Sequence, residues 1–278
     1  MSINDALVIG LLQGFLEWLP VSSKSMVMLY LVNVAASRGE TAYLTALILH
    51  VSTATAALVM FRSNYRQILR YLFRRPKVDD GEAAALLRGL IGATGISAAL
   101  GLPLYYLAGE HVLEFGGLML TAIIGLLLTV TGFALRFSSR LSGFRNVGDL
   151  RLGDILLAGV AQGLSALPGL SRSGLVASSL LLRDFDRRAA LRFTFIISVP
   201  AIYGLAAADL LVGLGLFRSS LADLGLVNLF SASAMSFAVS LLSLRMMLGW
   251  AAKLNFSSFL LSFGGLTFCL AAVFSFLS

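Results

Sequence analysis

Charge and polar sequence are scarce in this chain. Of its 278 residues 13% are charged, and no long polar segment interrupts the rest. That excludes the two soluble domains its length would otherwise allow. Cysteine is nearly absent: Cys269 stands alone in an apolar tail, which excludes a disulfide framework and a cysteine-based metal site. Acidic residues number 14 against 21 basic ones. The basic excess sits in short loops, a pattern suited to the cytoplasmic face of a membrane and not to nucleic acid. No basic n-region opens the chain, so no cleaved signal peptide is expected.

What remains is apolar. The chain is 58% hydrophobic with a mean hydropathy of +0.89, which predicts an all-α integral membrane protein, multi-pass, in the plasma membrane. One apolar run, Ile155–Leu182, is broken by Gln162-Gly-Leu-Ser-Ala-Leu-Pro-Gly-Leu-Ser-Arg-Ser-Gly174. An arginine at hydrocarbon depth costs roughly 2.5–3.5 kcal/mol on insertion scales, so it is normally paired or lines a polar cavity. Irregular backbone at that depth needs protein or water to satisfy it. A second stretch echoes the first: Gln13-Gly-Phe-Leu-Glu-Trp-Leu-Pro-Val-Ser-Ser-Lys-Ser25, whose Gln-Gly lies 149 residues before the other. Interrupted hydrophobic segments at corresponding places in two halves point to inverted repeats with a site between them.

Loop charge sets the expected topology. Residues 62–88 carry seven basic side chains, and the 136–151 and 183–192 loops carry four each. If all three lie in the cytoplasm, the segment between the last two returns to the side it came from. Within 62–75 the arginines at 62, 66, 70 and 74 alternate with Ile68, Leu69, Leu72 and Phe73, which predicts a basic amphipathic helix in the interface. The expectation is a single domain, 1–278, of six transmembrane helices plus two re-entrant helical hairpins. Repeat 1 covers about 1–136 (hairpin 5–34 plus three spans) and repeat 2 about 152–278 (hairpin 155–182 plus three spans). Three spans are an odd number, so the halves run in opposite senses and the hairpin tips meet.

The tips carry the candidate chemistry. Gln13 and Glu17 lie four apart on one helix face, and Glu17 is the carboxylate expected at membrane depth. Ser22, Ser23 and Lys24 follow on that tip. Across from them, Ser171, Arg172 and Ser173 follow Pro168-Gly169, where a half-helix begins, and free backbone amides beside an arginine make an anion site. Hydroxyl, carboxylate and cation around one buried point are the parts that phosphoryl transfer needs. Each has a plainer reading as well: a serine bonding its own helix, a glutamate carrying a proton or ion, His50 as a helix-contact residue. His111 reads as a solvated loop residue, and Asp209 as a snorkelling group near the end of its span.

These residues resemble the bacitracin-resistance family of undecaprenyl-pyrophosphate phosphatases, in a divergent, archaeal-type form. The matches are Gln13 and Glu17, Leu19-Pro-Val-Ser-Ser23 and Pro168-Gly-Leu-Ser-Arg-Ser-Gly174, with Gln162 and Phe193–Pro200 also similar. The resemblance implies hydrolysis of a polyprenyl diphosphate to the monophosphate, recycling a lipid carrier for envelope or glycan synthesis. Glu17 and Gln13 would serve acid/base or metal-assisted roles, Ser23 would be the nucleophile, and Arg172 with Ser171 would hold the diphosphate. Ser22, Lys24, Ser173, Gly169, Gln162 and His50 complete the expected binding set. Met26 stands where the family has a histidine and Val176 where it has a threonine, while His50 replaces a family glutamine and is a candidate substitute for the missing imidazole. One carboxylate facing two phosphates makes a divalent cation, Mg2+ or Ca2+, a candidate cofactor. The expected partners are the lipid diphosphate, membrane lipids and a second copy in a homodimer. A polyprenyl-phosphate transporter or flippase built on the same repeats is the alternative.

Overall fold

The computed structural model describes residues 2–35, 37, 39–73, 81–107, 117–138, 143–212 and 225–250, with 257, 261, 262 and 264–269. All regular structure among them is helical: α1 (Ile3–Leu16), α2 (Ser23–Asn33), α3 (Gly39–Met60), α4 (Arg62–Phe73), α5 (Gly81–Leu107), α6 (Gly117–Ser138), α7 (Leu152–Leu164), α8 (Arg172–Leu181), α9 (Arg187–Val212) and α10 (Leu226–Trp250). Five are long and apolar enough to cross a membrane: α3, α5, α6, α9 and α10. This is a multi-pass membrane protein. The sixth expected span, about Phe256–Leu277, falls largely outside the described residues, as do His111 and the side chain of Asp209.

Both interrupted segments form pairs of short helices. α1 and α2 have 14 and 11 residues, and α7 and α8 have 13 and 10, against the ~20 that a transmembrane helix needs. Local chemistry sets their ends. Ser2 caps α1 in a reciprocal pair with Asp5, and Ser171 caps α8 by accepting from the Gly174 amide at 3.2 Å. Between α7 and α8 the chain turns through Pro168 and Gly169, whose φ of +107° favours glycine.

Helix packing repeats itself between the halves. α1 lies along α10, and α7 along α5; α2 meets α3, and α8 meets α9; α3 meets α10, and α9 meets α5. Each short pair therefore leans on the second span of the other half. The close contacts follow suit. Gly14 of α1 faces the Ser236 carbonyl of α10 and Gly163 of α7 faces Leu100 of α5, 149 residues apart like the two glutamines. A β-carbon at Gly14 would collide with the Ser236 carbonyl, and one at Gly163 would press on Leu100 at 3.0 Å, so these small residues let the helices pack closely.

Two polar links hold the frame. Asp154, fully buried at the start of α7, accepts from Arg145 Nη2 at 2.6 Å, Arg183 Nε at 2.8 Å and the Arg151 amide at 2.8 Å. The Arg145 guanidinium also lies 4.4 Å over the Phe185 ring. This clamp joins the chain before α7 to the turn after α8. Breaking such a buried pair costs about 3–5 kcal/mol. The second link concerns Pro200, which lies inside α9 and has no N–H to offer the Ile196 carbonyl. Tyr65 of α4 supplies the donor instead, OH to O at 2.6 Å. A helix is present over most of the stretch expected to be amphipathic, as α4, with Ile68 and Asn64 buried and Leu69, Leu72 and Phe73 exposed.

Candidate active site

The two helix-pair tips meet at Glu17, which follows the last turn of α1 and is 5% exposed. Its Oε2 accepts from Gln13 Nε2 at 2.7 Å, one helical turn back, and from Ser23 Oγ at 2.6 Å, the first residue of α2. Its Oε1 accepts from Arg172 Nη2, which opens α8 from the other half of the chain. His50 of α3 completes the cluster, with Nε2 3.3 Å from Glu17 Oε2. The Ala46 carbonyl, 2.5 Å from Nδ1, can only accept, so Nδ1 carries a proton, and Nε2, which faces the carboxylate, donates to it when the ring holds its second proton. One carboxylate thus joins an amide, a hydroxyl, an imidazole and a guanidinium drawn from four helices.

The same cavity is lined by Ser22, Ser23, Lys24, His50, Gln162 and Ser171 to Ser173 as well as Glu17. Ser173 Oγ donates to the Leu19 carbonyl at 2.7 Å and so ties one tip to the other. Ser171 Oγ and Ser173 Oγ are 3.2 Å apart. Thr131 of α6 braces this tip, accepting from the Ser171 amide at 3.2 Å. Ser22 Oγ and Ser25 Oγ form a pair at 2.8 Å. Lys24 Nζ reaches the Ala166 carbonyl at 2.5 Å. Gln162 donates to Ser97 Oγ at 3.1 Å, while its Oε1 is buried with no partner. Leu47, Ala98, Leu102 and Leu205 continue the cavity wall with apolar surface, which suits a hydrocarbon chain.

Most of the expected set converges, with two adjustments. Gly169 does not line the cavity; it sits in the tip turn against Ile124 and Leu127 of α6, and its part is conformational. Gln13 does not line the cavity; it donates to Glu17 Oε2, the oxygen that Ser23 also meets. Met26 packs on one apolar cluster and Val176 is buried in the other, so the two departures from the family pattern face packing and not the cavity. Sequence reading missed Thr131, Ser97 and Asp154. Isolated polar residues in or beside apolar runs were the available signal, but only packing shows what each one meets.

These residues do not by themselves form a metal-ligand set, and a divalent cation would have to draw its oxygen ligands from the substrate's phosphates. Among the described residues no three His, Cys, Asp or Glu side chains converge, and both Glu17 oxygens already receive donors, one of them cationic. Hard cations need several free oxygen ligands. This cluster instead offers donors, the requirement of an anion.

Comparison with known proteins agrees with that chemistry. The family model described as "Bacitracin resistance protein BacA" matches residues 6–269. The chain is 35% identical over 274 residues to the "Undecaprenyl-diphosphatase" of Methanococcoides burtonii, covering 96% of this chain and 97% of that protein. It is 36% identical over 273 residues to the protein of that name from Methanothrix thermoacetophila, covering 98% of each. With the one from Haloarcula marismortui it shares 42% identity over 211 residues, 74% of this chain and 75% of the relative. A matched core that runs nearly end to end and contains both tips leaves one conclusion: the chain belongs to the BacA bacitracin-resistance family.

Proposed function

We propose that this protein is a membrane phosphatase that hydrolyses a polyprenyl diphosphate to the monophosphate and phosphate, recycling a lipid carrier. The observation that carries the reading is the Ser23–Glu17–Arg172 contact: a hydroxyl donating to a buried carboxylate at 2.6 Å, with a guanidinium on the other oxygen. A serine bonded to a base is the arrangement of an activated nucleophile. Ser23 Oγ attacks the terminal phosphorus as its proton passes to Glu17 Oε2. The bond from that phosphorus to the bridging oxygen breaks, and its electron pair leaves with the lipid monophosphate. Water then attacks the phosphoserine as Glu17 returns that proton to Ser23 Oγ and takes one from the water; inorganic phosphate departs, and Glu17 releases its proton to solvent. Arg172 stabilises the equatorial oxygens of both transition states. The apolar wall holds the start of the prenyl chain. The relatives carry a hydrolase's name, and nothing supports the transporter alternative.

The test is phosphate release from a C15 prenyl diphosphate by the purified protein in detergent. We expect release by the parent and a loss of at least about a hundredfold in Ser23→Ala. Unchanged release by Ser23→Ala would remove the serine from the mechanism, and prenyl-phosphate exchange across vesicles without release would favour the transporter.

In this reading the short helix pairs are re-entrant hairpins in two inverted repeats, and the expected homodimer and sixth span complete the assembly. Support comes from the packing exchanged between halves and from the 149-residue offset shared by Gln13/Gln162 and Gly14/Gly163. Loop charge puts the turn after α8 in the cytoplasm and the end of α2 outside. Cysteines placed at Arg188 and Val34 in a Cys269→Ser background should therefore react oppositely with an impermeant thiol reagent added to intact cells. Only Val34→Cys should label; the reverse pattern would invert the topology, and labelling of both would end the hairpin reading.

A further inference from the structure

We infer that Lys24 is a second phosphate-binding cation in this cavity, and that Lys24 and Arg172 together select a diphosphate over a monophosphate. The inference rests on the phosphatase reading for its substrate class, and its basis is the cavity's own charge. Ser23-Lys24-Ser25 and Ser171-Arg172-Ser173 are the corresponding clusters of the two halves. Each cation sits in the first turn of a short helix, α2 or α8. That is the positive end of the helix dipole, where an anion is favoured and a cation is not.

The two cations are neutralised differently. Arg172 has the Glu17 carboxylate. Lys24 has no carboxylate partner among the described residues. Its Nζ lies 2.5 Å from the Ala166 carbonyl and 3.5 Å from the Ser165 carbonyl, and 5.2 Å above the centre of the Tyr43 ring. Two carbonyls and a ring face orient an ammonium but do not cancel its charge, and they leave at least one of its three N–H donors for another acceptor. The cavity is lined by Glu17, Lys24, His50 and Arg172 as its ionisable side chains; when Lys24 and Arg172 are both protonated against the one carboxylate, the lining carries at least one net positive charge. An unneutralised cation out of water is costly unless a ligand answers it.

Geometry divides the work. Arg172 and Ser23 both meet Glu17, so they address the terminal phosphate that is attacked. Lys24 is held to the carbonyls just after α7 and makes no ion pair with that carboxylate, so it falls to the lipid-side phosphate. That phosphate gains negative charge when the bridging bond breaks. A monophosphate can engage one cation well; a diphosphate spans both. Product release follows, because the lipid monophosphate keeps only the Lys24 contact.

Titration calorimetry of the full chain in detergent reads this without turnover. The probes are methylenediphosphonate, which cannot be hydrolysed, and inorganic phosphate. The parent should prefer the diphosphonate. Lys24→Gln, which removes the charge but can still bond the Ala166 carbonyl, should weaken diphosphonate by at least about tenfold, the scale of a charged hydrogen bond. Phosphate affinity should change by less than about twofold on the same scale, and Lys24→Arg should restore the preference. A parent without preference overturns the inference, and so does a Lys24→Gln variant that retains it or loses both ligands equally. Should Lys24→Gln not fold, the parent and Lys24→Arg still decide: absence of preference in the parent, or its loss in Lys24→Arg, refutes the subsite. Preference in the parent with no phosphate release from the prenyl diphosphate would refute the phosphatase reading and leave the subsite standing.

Discussion

Glu17→Gln should lower turnover at least about a hundredfold, the lower end of what losing a general acid/base costs, while substrate still binds. The side chain keeps its shape and can still accept from one neighbour, but it takes no proton from Ser23, 2.6 Å away. Part of its new amide must also face donors: Gln13 Nε2, Ser23 Oγ and Arg172 Nη2 all point at these two atoms. Binding persists because the substitution removes the cavity's negative charge and so leaves the lining more attractive to phosphate. A variant with weakened binding and normal turnover would place Glu17 in ligand contact instead of proton transfer. His50→Gln should show a smaller loss in turnover, since the imidazole meets Glu17 at 3.3 Å and serves that carboxylate without touching Ser23. Activity equal to the parent's would make His50 a helix-packing residue.

Arg172→Lys should fail nearly as badly as Arg172→Ala. The guanidinium has one nitrogen on Glu17, and its Nε is buried without a partner. The planar fork can hold the carboxylate with one edge while presenting further donors to phosphate oxygens. An ammonium is a point charge on a flexible stem, so it must give up one contact or the other. Loss of an arginine that stabilises a phosphoryl transition state is worth about a thousandfold or more in turnover, and we expect both variants to approach that. Arg172→Lys keeps the charge and should elute and unfold much as the parent does, since the cap of α8 is Ser171; Arg172→Ala leaves the buried Glu17 carboxylate without its cation and should unfold more easily. Full activity in Arg172→Lys would end the fork argument, while full activity in Arg172→Ala would remove the residue from the site.

Much of this protein was legible before any coordinates. Hydropathy alone separates the spans, because a bilayer demands ~20 apolar residues and every backbone group satisfied internally. The breaks at Pro20 and Pro168 were visible for the same reason: proline, glycine, serine and a charge at membrane depth are too costly to be incidental. The echo between Gln13–Ser25 and Gln162–Gly174 pointed to the cavity where the two tips meet. Glu17, Ser23, Lys24, Ser171 and Arg172 could be named from it, since composition at a tip is a local property.

What the tertiary structure decided is who meets whom. Arg172 spends one nitrogen on Glu17, 155 residues away, where the sequence alone suggested a fork free for phosphate. His50 comes from a neighbouring span and turns to Glu17 because its own helix binds the opposite nitrogen. Gly169 sits in the tip turn and outside the cavity lining, with a backbone φ that favours glycine. Tyr65 answers a carbonyl that Pro200 cannot, and Asp154 gathers two arginines into one clamp. None of these pairings has a periodicity or a motif. Each joins groups whose separation along the chain is unrelated to distance in space, and each is set by the need of a buried polar atom for a partner. Only the packed helices determine which partner is within reach.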